Sequence, residues 1–180
     1  MGGGYGKGLD FGHTWGSGRL PIDEVGSHEL RGSVQRPAAG DSSLMSNKDL
    51  FALYISRRKD VDPNGCFDLI AHGSGNSIEI QHRGSTIRVG SRITAKMIGR
   101  LTGYHGQDIR LLSCNTGSLP KGFAQNLANK LGVTVWAPTD VLWAWPNGTY
   151  TVAARSAKDF NMPDLNHRGK FVPYYPGGNK

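Results

Sequence analysis

Two short stretches decide the fold of this 180-residue chain: residues 66–73, CFDLIAHG, and residues 109–117, IRLLSCNTG. Each is an apolar run with the length of a buried strand, and each stops abruptly at polar and glycine residues. The carboxyl ends of parallel strands meet at one edge of a sheet, which is where α/β folds bind ligands. We therefore expect His72 and Cys114 to lie close together at that edge.

The flanking sequence predicts the other elements of an α/β domain with a largely parallel central sheet. Helices are predicted from Ser91, as the N-cap, to about Thr102, and from Pro120 to a stop at Gly132. In the first of these helices, Ile93, Met97, Ile98 and Leu101 form the apolar face. Further strands are predicted at 51–55, 77–81, 86–89, 133–137, 141–145 and 149–154, and four of them pair as two peripheral hairpins.

Composition limits the class of protein. Glycine supplies eight of the first 18 residues, so we expect a flexible or irregular lead-in over 1–45. The remainder, 46–180, is expected to be a single domain, and the reactive residues described below make it a single catalytic domain. Met1 is followed by glycines without an apolar signal region, and no apolar run approaches a membrane span, so we expect no membrane association. Two cysteines exclude a disulfide scaffold and a cysteine zinc site.

The net charge of +7 is concentrated in one part of the chain. Residues 83–130 hold eight basic residues and one acidic residue, and the rest of the chain is balanced. Arg92, Lys96 and Arg100 are spaced four apart and predict a basic stripe on the first helix. This basic patch is either a solvated helix face or a binding surface for a polyanion.

Cys114 and His72 form the minimum set for covalent catalysis by a thiolate and an imidazole. A glycine at position 73 leaves its N–H open to an oxyanion, and the N–H of Cys114 is the second candidate donor. Cys114 also precedes a predicted helix, whose N-terminus would favour the thiolate. Cys66 has no partner motif and is expected to be structural. His105-Gly106 repeats the His-Gly pair but precedes a strand, so we rank it lower.

The segments 70–73, IAHG, and 111–117, LLSCNTG, resemble the caspase-like cysteine peptidases, which include caspases, gingipains, separase, CHAT domains and the self-cleaving domains of bacterial toxins. CHAT domains often have an alanine before the cysteine, and this chain lacks it. The resemblance implies a caspase-like layered fold, with Cys114 as nucleophile, His72 as general acid/base, and the amides of Gly73 and Cys114 as oxyanion hole. It implies substrate contacts from Asp140, Trp143 and Trp145, with Asp140 favouring a basic residue, and no metal or cofactor.

The glycine-rich start also resembles the setting of C-terminal modules of polymorphic bacterial toxins. That resemblance implies a secreted or delivered bacterial effector that acts on a protein or peptide in the reducing cytosol of a target cell. A cognate immunity protein is the further partner it implies. The resemblance to the self-cleaving toxin domains, which use a polyanion, implies a polyanionic activator, and the basic stripe permits one.

Two alternatives remain open at the level of sequence. One is a nuclease-type toxin that uses the basic 83–130 segment. It is disfavoured because that segment lacks an acidic metal-binding cluster and interleaved aromatic residues, so nucleic acid is not the expected partner. The other is a catalytically silent caspase-like fold that serves as a binding module.

Overall fold

A computed structural model describes residues 38–46, 48–61 and 65–177 of the chain. Within them the helices are α1 (Leu50–Ser56), α2 (Ser91–Ile98) and α3 (Phe123–Leu131). The strands are β1 (Ala38–Ser43), β2 (Cys66–Ile70), β3 (His72–Gly73), β4 (Ile78–His82), β5 (Ser85–Val89), β6 (Ile109–Leu112), β7 (Val135–Pro138), β8 (Val141–Ala144), β9 (Tyr150–Arg155), β10 (Pro163–Arg168) and β11 (Phe171–Tyr174).

The central sheet has the strand order β1-β2-β6-β7-β11. β1, β2, β6 and β7 pair in parallel, and β11 closes the β7 edge in antiparallel orientation. Two smaller antiparallel sheets, β3-β4-β5 and β10-β9-β8, complete the described part. The prediction of an α/β fold is confirmed. The prediction of a mostly parallel sheet is wrong. β11 pairs with β7 in antiparallel orientation, which makes the central sheet mixed, and all pairings in the two smaller sheets are antiparallel.

Alternate residues of β2 and β6 point to opposite faces of the central sheet, as the strand period requires. On one face, Phe67, Leu69 and Leu111 pack with α2 and α3. On the other face, Ile70 and Leu112 pack with α1, β8 and β9. The sheet is therefore the middle layer, and both of its faces are buried.

Residues 51–55 form part of α1, so the predicted strand at this position is wrong. The buried residues of α1 are Phe51, Tyr54 and Ile55, which is helical spacing. Asp49 is the N-cap, and its Oδ1 accepts a hydrogen bond from the Ala52 N–H at 3.2 Å. The capping carboxylate starts a helix in a segment whose β-branched and aromatic content favours a strand.

Several predicted boundaries also shift. α2 ends at Ile98 instead of continuing to Thr102, and its N-cap is Gly90 rather than Ser91. Ile93, expected on the apolar face, is 47% exposed. α3 begins at Phe123, after turns that follow Pro120. β1 lies inside the expected lead-in, and residues 1–37 of that lead-in are outside the described residues.

A network of buried charges lies on the α1 side of the central sheet. Asp68, in β2, is fully buried between Arg58 and Arg110, which is also buried. Arg110 contacts Asp60 at 2.7 Å, and the Tyr150 hydroxyl donates to the same carboxylate at 2.7 Å. Arg110 therefore anchors the loop after α1 to the sheet, although the sequence counts it among the basic residues of 83–130.

Within residues 38–46, 48–61 and 65–177, no helix is long and apolar enough to cross a bilayer.

Candidate functional site

The ends of β2 and β6 are neighbours in the sheet. Ile70 pairs with Leu112, and the next amide, Ala71 N–H, donates to the Leu112 carbonyl at 3.3 Å. The chain then continues to His72 on one strand and to Cys114 on the other. The register therefore brings the two predicted reactive residues to the same edge of the sheet.

Gly73 lies directly against the turn that carries Cys114. A Cβ atom at position 73 would lie 2.7 Å from the Thr116 Cγ2 atom, 3.2 Å from the Ser113 Cβ atom and 3.1 Å from the Cys114 carbonyl oxygen. Real Cβ atoms essentially never come as close as 2.7 Å to another heavy atom, and the other two contacts would be tighter than most, so the packing at position 73 favours glycine. The backbone that follows the histidine therefore packs against the backbone that carries the thiol.

The His72 side chain is held by the start of α1. Its Nε2 atom lies 2.9 Å from Oδ2 of Asp49, and its ring centroid lies 5.7 Å from that of Phe51. A carboxylate only accepts hydrogen bonds, so Nε2 carries the hydrogen in this pair. Nδ1 is then the ring nitrogen that is able to take up a proton.

Sequence reasoning assigned no carboxylate to the histidine, and Asp49 was missed. The reason is that residues 51–55 were interpreted as a strand, in which Asp49 has no special place. The signal that could have found it is an aspartate one residue before a segment with apolar residues at i, i+3 and i+4, which is typical of a helix N-cap.

Cys114 is partly buried, and its thiol donates to the Leu142 carbonyl of β8 at 3.7 Å. Burial raises the pKa of this thiol. The expectation that a helix N-terminus favours the thiolate is wrong, because α3 begins nine residues later. The first N–H groups of that helix donate to the carbonyls of Gly75 and Thr116. The thiol in this structure is therefore turned toward β8, and its burial disfavours the thiolate.

The turn after the thiol has an unusual backbone conformation. Asn115 has a φ of 58°, a left-handed conformation that asparagine tolerates better than most residues. Its N–H donates to the Asp140 carbonyl at 2.9 Å, which fixes the turn to the segment between β7 and β8. Strained backbone of this kind concentrates at functional sites and supports the choice of this edge.

Of the predicted substrate residues, Trp143 and Trp145 belong to the apolar cluster against which Cys114 packs, and Asp140 is the residue just before β8. Oδ1 of Asp140 accepts a hydrogen bond from the Val141 N–H at 2.8 Å. Trp143 is 0% exposed and donates its indole N–H to the Ala153 carbonyl, so it offers no accessible surface in this conformation. Trp145 is also buried. Their role in substrate binding stays a prediction.

The predicted basic patch is on the surface. Arg92 and Lys96 lie on α2, Arg100 follows it, and all three are exposed. Of the remaining basic residues in 83–130, Arg110 is buried and Arg88 pairs with Glu79. The excess of positive charge on the surface is therefore smaller than the sequence suggests. The described residues include no group of three His, Cys, Asp or Glu side chains suited to a metal ion.

Comparison with known proteins identifies a family but no characterised relative. Residues 40–152 match the family described as "Domain of unknown function (DUF8616)", and the chain belongs to that family. The match spans more than half of the chain and includes Asp49, His72 and Cys114. Neither the curated proteins nor the solved structures contain a match to the chain.

Proposed function

We propose that this DUF8616 domain is a cysteine peptidase, or a related acyl-transfer enzyme, with a caspase-like arrangement. Cys114 is the nucleophile, His72 is the general acid/base, and Asp49 orients the imidazole. The observation that carries the proposal is the joint placement of these residues. A histidine paired with a carboxylate and a cysteine follow two neighbouring parallel strands, and Gly73 brings their backbones into contact.

The proposed reaction begins with transfer of the thiol proton of Cys114 to Nδ1 of His72. The thiolate then attacks the scissile carbonyl carbon, a C–S bond forms, and the backbone N–H groups of Gly73 and Cys114 stabilise the oxyanion. The C–N bond breaks as His72 returns the proton to the leaving amine. Water, or an acceptor amine in acyl transfer, then cleaves the thioester.

This sequence requires the Cys114 thiol to leave the Leu142 carbonyl and turn toward His72. The Asp49 carboxylate stabilises the imidazolium that forms and keeps Nε2 protonated, as the third residue of a catalytic triad does. The resting arrangement, with a partly buried thiol that points at the Leu142 carbonyl, is consistent with a site that acquires its reactive geometry when substrate binds.

The proposed substrate is a protein or peptide whose side chain next to the scissile bond is basic, as the carboxylate of Asp140 would favour. Delivery as a bacterial effector into a reducing cytosol belongs to the same proposal. A reducing cytosol suits Cys66 and Cys114, which are not joined by a disulfide bond in the described residues. The immunity protein and the polyanionic activator remain proposals of the same kind.

The test is cleavage of a proteome-derived peptide library by the full chain, with new termini identified by mass spectrometry. Peptides that accumulate with a shared residue before the cut give the specificity directly. Library cleavage that is unchanged in the Cys114→Ala protein would contradict the proposal.

Asp49 allows its two roles to be separated by substitution. Asp49→Ser keeps a hydroxyl that caps the Ala52 N–H but removes the partner of His72. We expect a stability loss of only about 0.5–1.5 kcal/mol, from the lost hydrogen bond to His72, because serine caps as well as aspartate. Turnover should fall at least about tenfold, because the imidazole loses its orienting carboxylate. Urea unfolding and kcat on a cleaved peptide measure the two effects.

Asp49→Ala is the matched comparison for that experiment, because it removes both the cap and the histidine partner. It should lose the same activity as Asp49→Ser and about 1 kcal/mol of stability in addition. Wild-type kcat in Asp49→Ser would show that the carboxylate plays no part in the reaction.

Gly73→Ala should disrupt the contact between the two strand ends. The added methyl group would lie 2.7 Å from Cγ2 of the buried Thr116 and 3.1 Å from the Cys114 carbonyl oxygen, so the Thr116 side chain or the turn that carries it must move. We expect loss of most activity and a destabilisation of about 1–3 kcal/mol. Gly99→Ala is the control, since a Cβ there makes only ordinary contacts at 3.6 Å or more, and its φ of −61° suits alanine. Equal activity and melting temperature in both variants would show that this contact does not matter.

A further inference from the structure

The side chain of Cys114 packs against an apolar cluster on the β8-β9-β10 sheet. The cluster consists of Val141, Trp143, Trp145 and Ala153, with Met162 beside it. A negative charge on sulfur is poorly solvated in such surroundings and is disfavoured. A thiolate at this position therefore depends on fixed charges nearby more than an exposed thiolate would.

Arg155, the last residue of β9, lies on this cluster and is held in place. Its guanidinium carbon is 5.5 Å from the ring centroid of Trp143 and 5.2 Å from that of Phe160. Its Nη1 donates to the Phe160 carbonyl at 3.0 Å. These contacts keep the cation over the aromatic cluster that packs on Cys114 and restrict its rotation into solvent.

The charged and titratable groups that face Cys114 come from three segments. Burial is the largest influence on the pKa of the thiol and raises it, the positive charge of Arg155 opposes the rise, and Asp140 adds to it. His72 lies at the same edge of the sheet and is hydrogen-bonded to Asp49. Arg155 is therefore the cation that acts on the sulfur from the β9 side.

We propose that Arg155 is a positioning residue that stabilises the negative charge of the Cys114 thiolate, with Trp143 as the platform that holds it. The inference rests on the proposed function, since it gives Cys114 the role of nucleophile. It also gives a reason for a buried tryptophan at position 143: the ring supports a cation without itself reaching a substrate.

The test measures the rate of Cys114 alkylation by iodoacetamide as a function of pH in the full chain. Peptide mass spectrometry reads Cys114 and Cys66 separately, so the buried Cys66 is an internal control. Arg155→Met removes the charge and keeps the length of the side chain, whereas Arg155→Lys keeps the charge and loses the planar guanidinium. Arg88→Met removes one charge from an arginine whose side chain is 76% exposed.

The midpoint of the pH–rate profile of Cys114 should rise by about one unit in Arg155→Met, with alkylation about tenfold slower below the midpoint. Arg155→Lys and Arg88→Met should stay near the parent profile. An unmoved midpoint in folded Arg155→Met would overturn the inference, and so would an Arg155→Lys midpoint as high as that of Arg155→Met. Should Arg155→Met not fold, Arg155→Gln, which also lacks the charge, takes its place and is expected to shift the midpoint in the same direction.

Alkylation needs no substrate, so the two proposals fail in different ways. A shifted midpoint in a chain that cleaves no peptide would leave the role of Arg155 intact and remove the peptidase. Cleavage that depends on Cys114, combined with an unmoved midpoint, would leave the peptidase and remove Arg155.

Discussion

Cys114→Ala is expected to abolish peptide cleavage, with a loss of about 10⁴-fold or more, because no other group at the site can form the thioester. His72→Ala should cost about 10² to 10⁴-fold, the usual contribution of a positioned acid/base. Both proteins should remain folded, since neither side chain belongs to the buried charge network. The measurement is kcat/KM on a peptide identified from the library, together with thermal unfolding of each variant.

The chain supplies matched controls for both substitutions. Cys66→Ala removes the other thiol, which lies at the start of β2, at the end of the strand away from His72. His105→Ala removes the exposed histidine of the second His-Gly pair. Both should retain activity per folded molecule. If Cys114→Ala keeps its biological effect while changes at Arg92, Lys96 and Arg100 abolish it, the nucleic-acid alternative gains and the peptidase proposal fails.

Asp68→Ala should produce the largest loss of stability, about 3–5 kcal/mol. Asp68 is fully buried and pairs with the guanidinium groups of Arg58 and Arg110. Its removal leaves two buried positive charges that are only partly neutralised. Typical domains are stable by about 5–15 kcal/mol, so this change should remove a large part of the total. Urea unfolding followed by circular dichroism gives the free energy directly.

The surface pair between Arg88 and Glu79 is the control for Asp68→Ala. Arg88→Gln breaks an ion pair of which one member is largely exposed, and such pairs contribute about 0–1 kcal/mol. A loss of less than 1 kcal/mol in Asp68→Ala, similar to that of Arg88→Gln, would show that the network does not hold the loop after α1 to the sheet.

The sequence was informative where local patterns and neighbours agree. The apolar runs that end at His72 and Cys114 predicted β2 and β6 because both faces of these strands are buried. The hairpins at β4-β5 and β8-β9 were predicted because a turn separates two short runs in each. Gly132 was predicted as the end of α3, and it adopts a left-handed conformation there.

The sequence was uninformative where tertiary contacts override local pattern. α1 was predicted as a strand because its apolar residues are clustered, and the exposed Leu53 obscures the helical spacing of Phe51, Tyr54 and Ile55. β11 was missed because it pairs with β7, which lies more than 30 residues earlier in the chain, and no local sequence pattern indicates that pairing. Arg110 was counted as surface charge because nothing in a single sequence shows that Asp68 and Asp60 neutralise it.

Asp49 joins the first turn of α1 to the imidazole of His72, since one carboxylate receives both the Ala52 amide and the histidine. Fraying of that turn and reorientation of the ring are thus one opening event rather than two. The exchange of the Ala52 amide hydrogen with solvent reports how often His72 loses its partner. A molecule that orders the site should slow this exchange even if it touches no part of the helix.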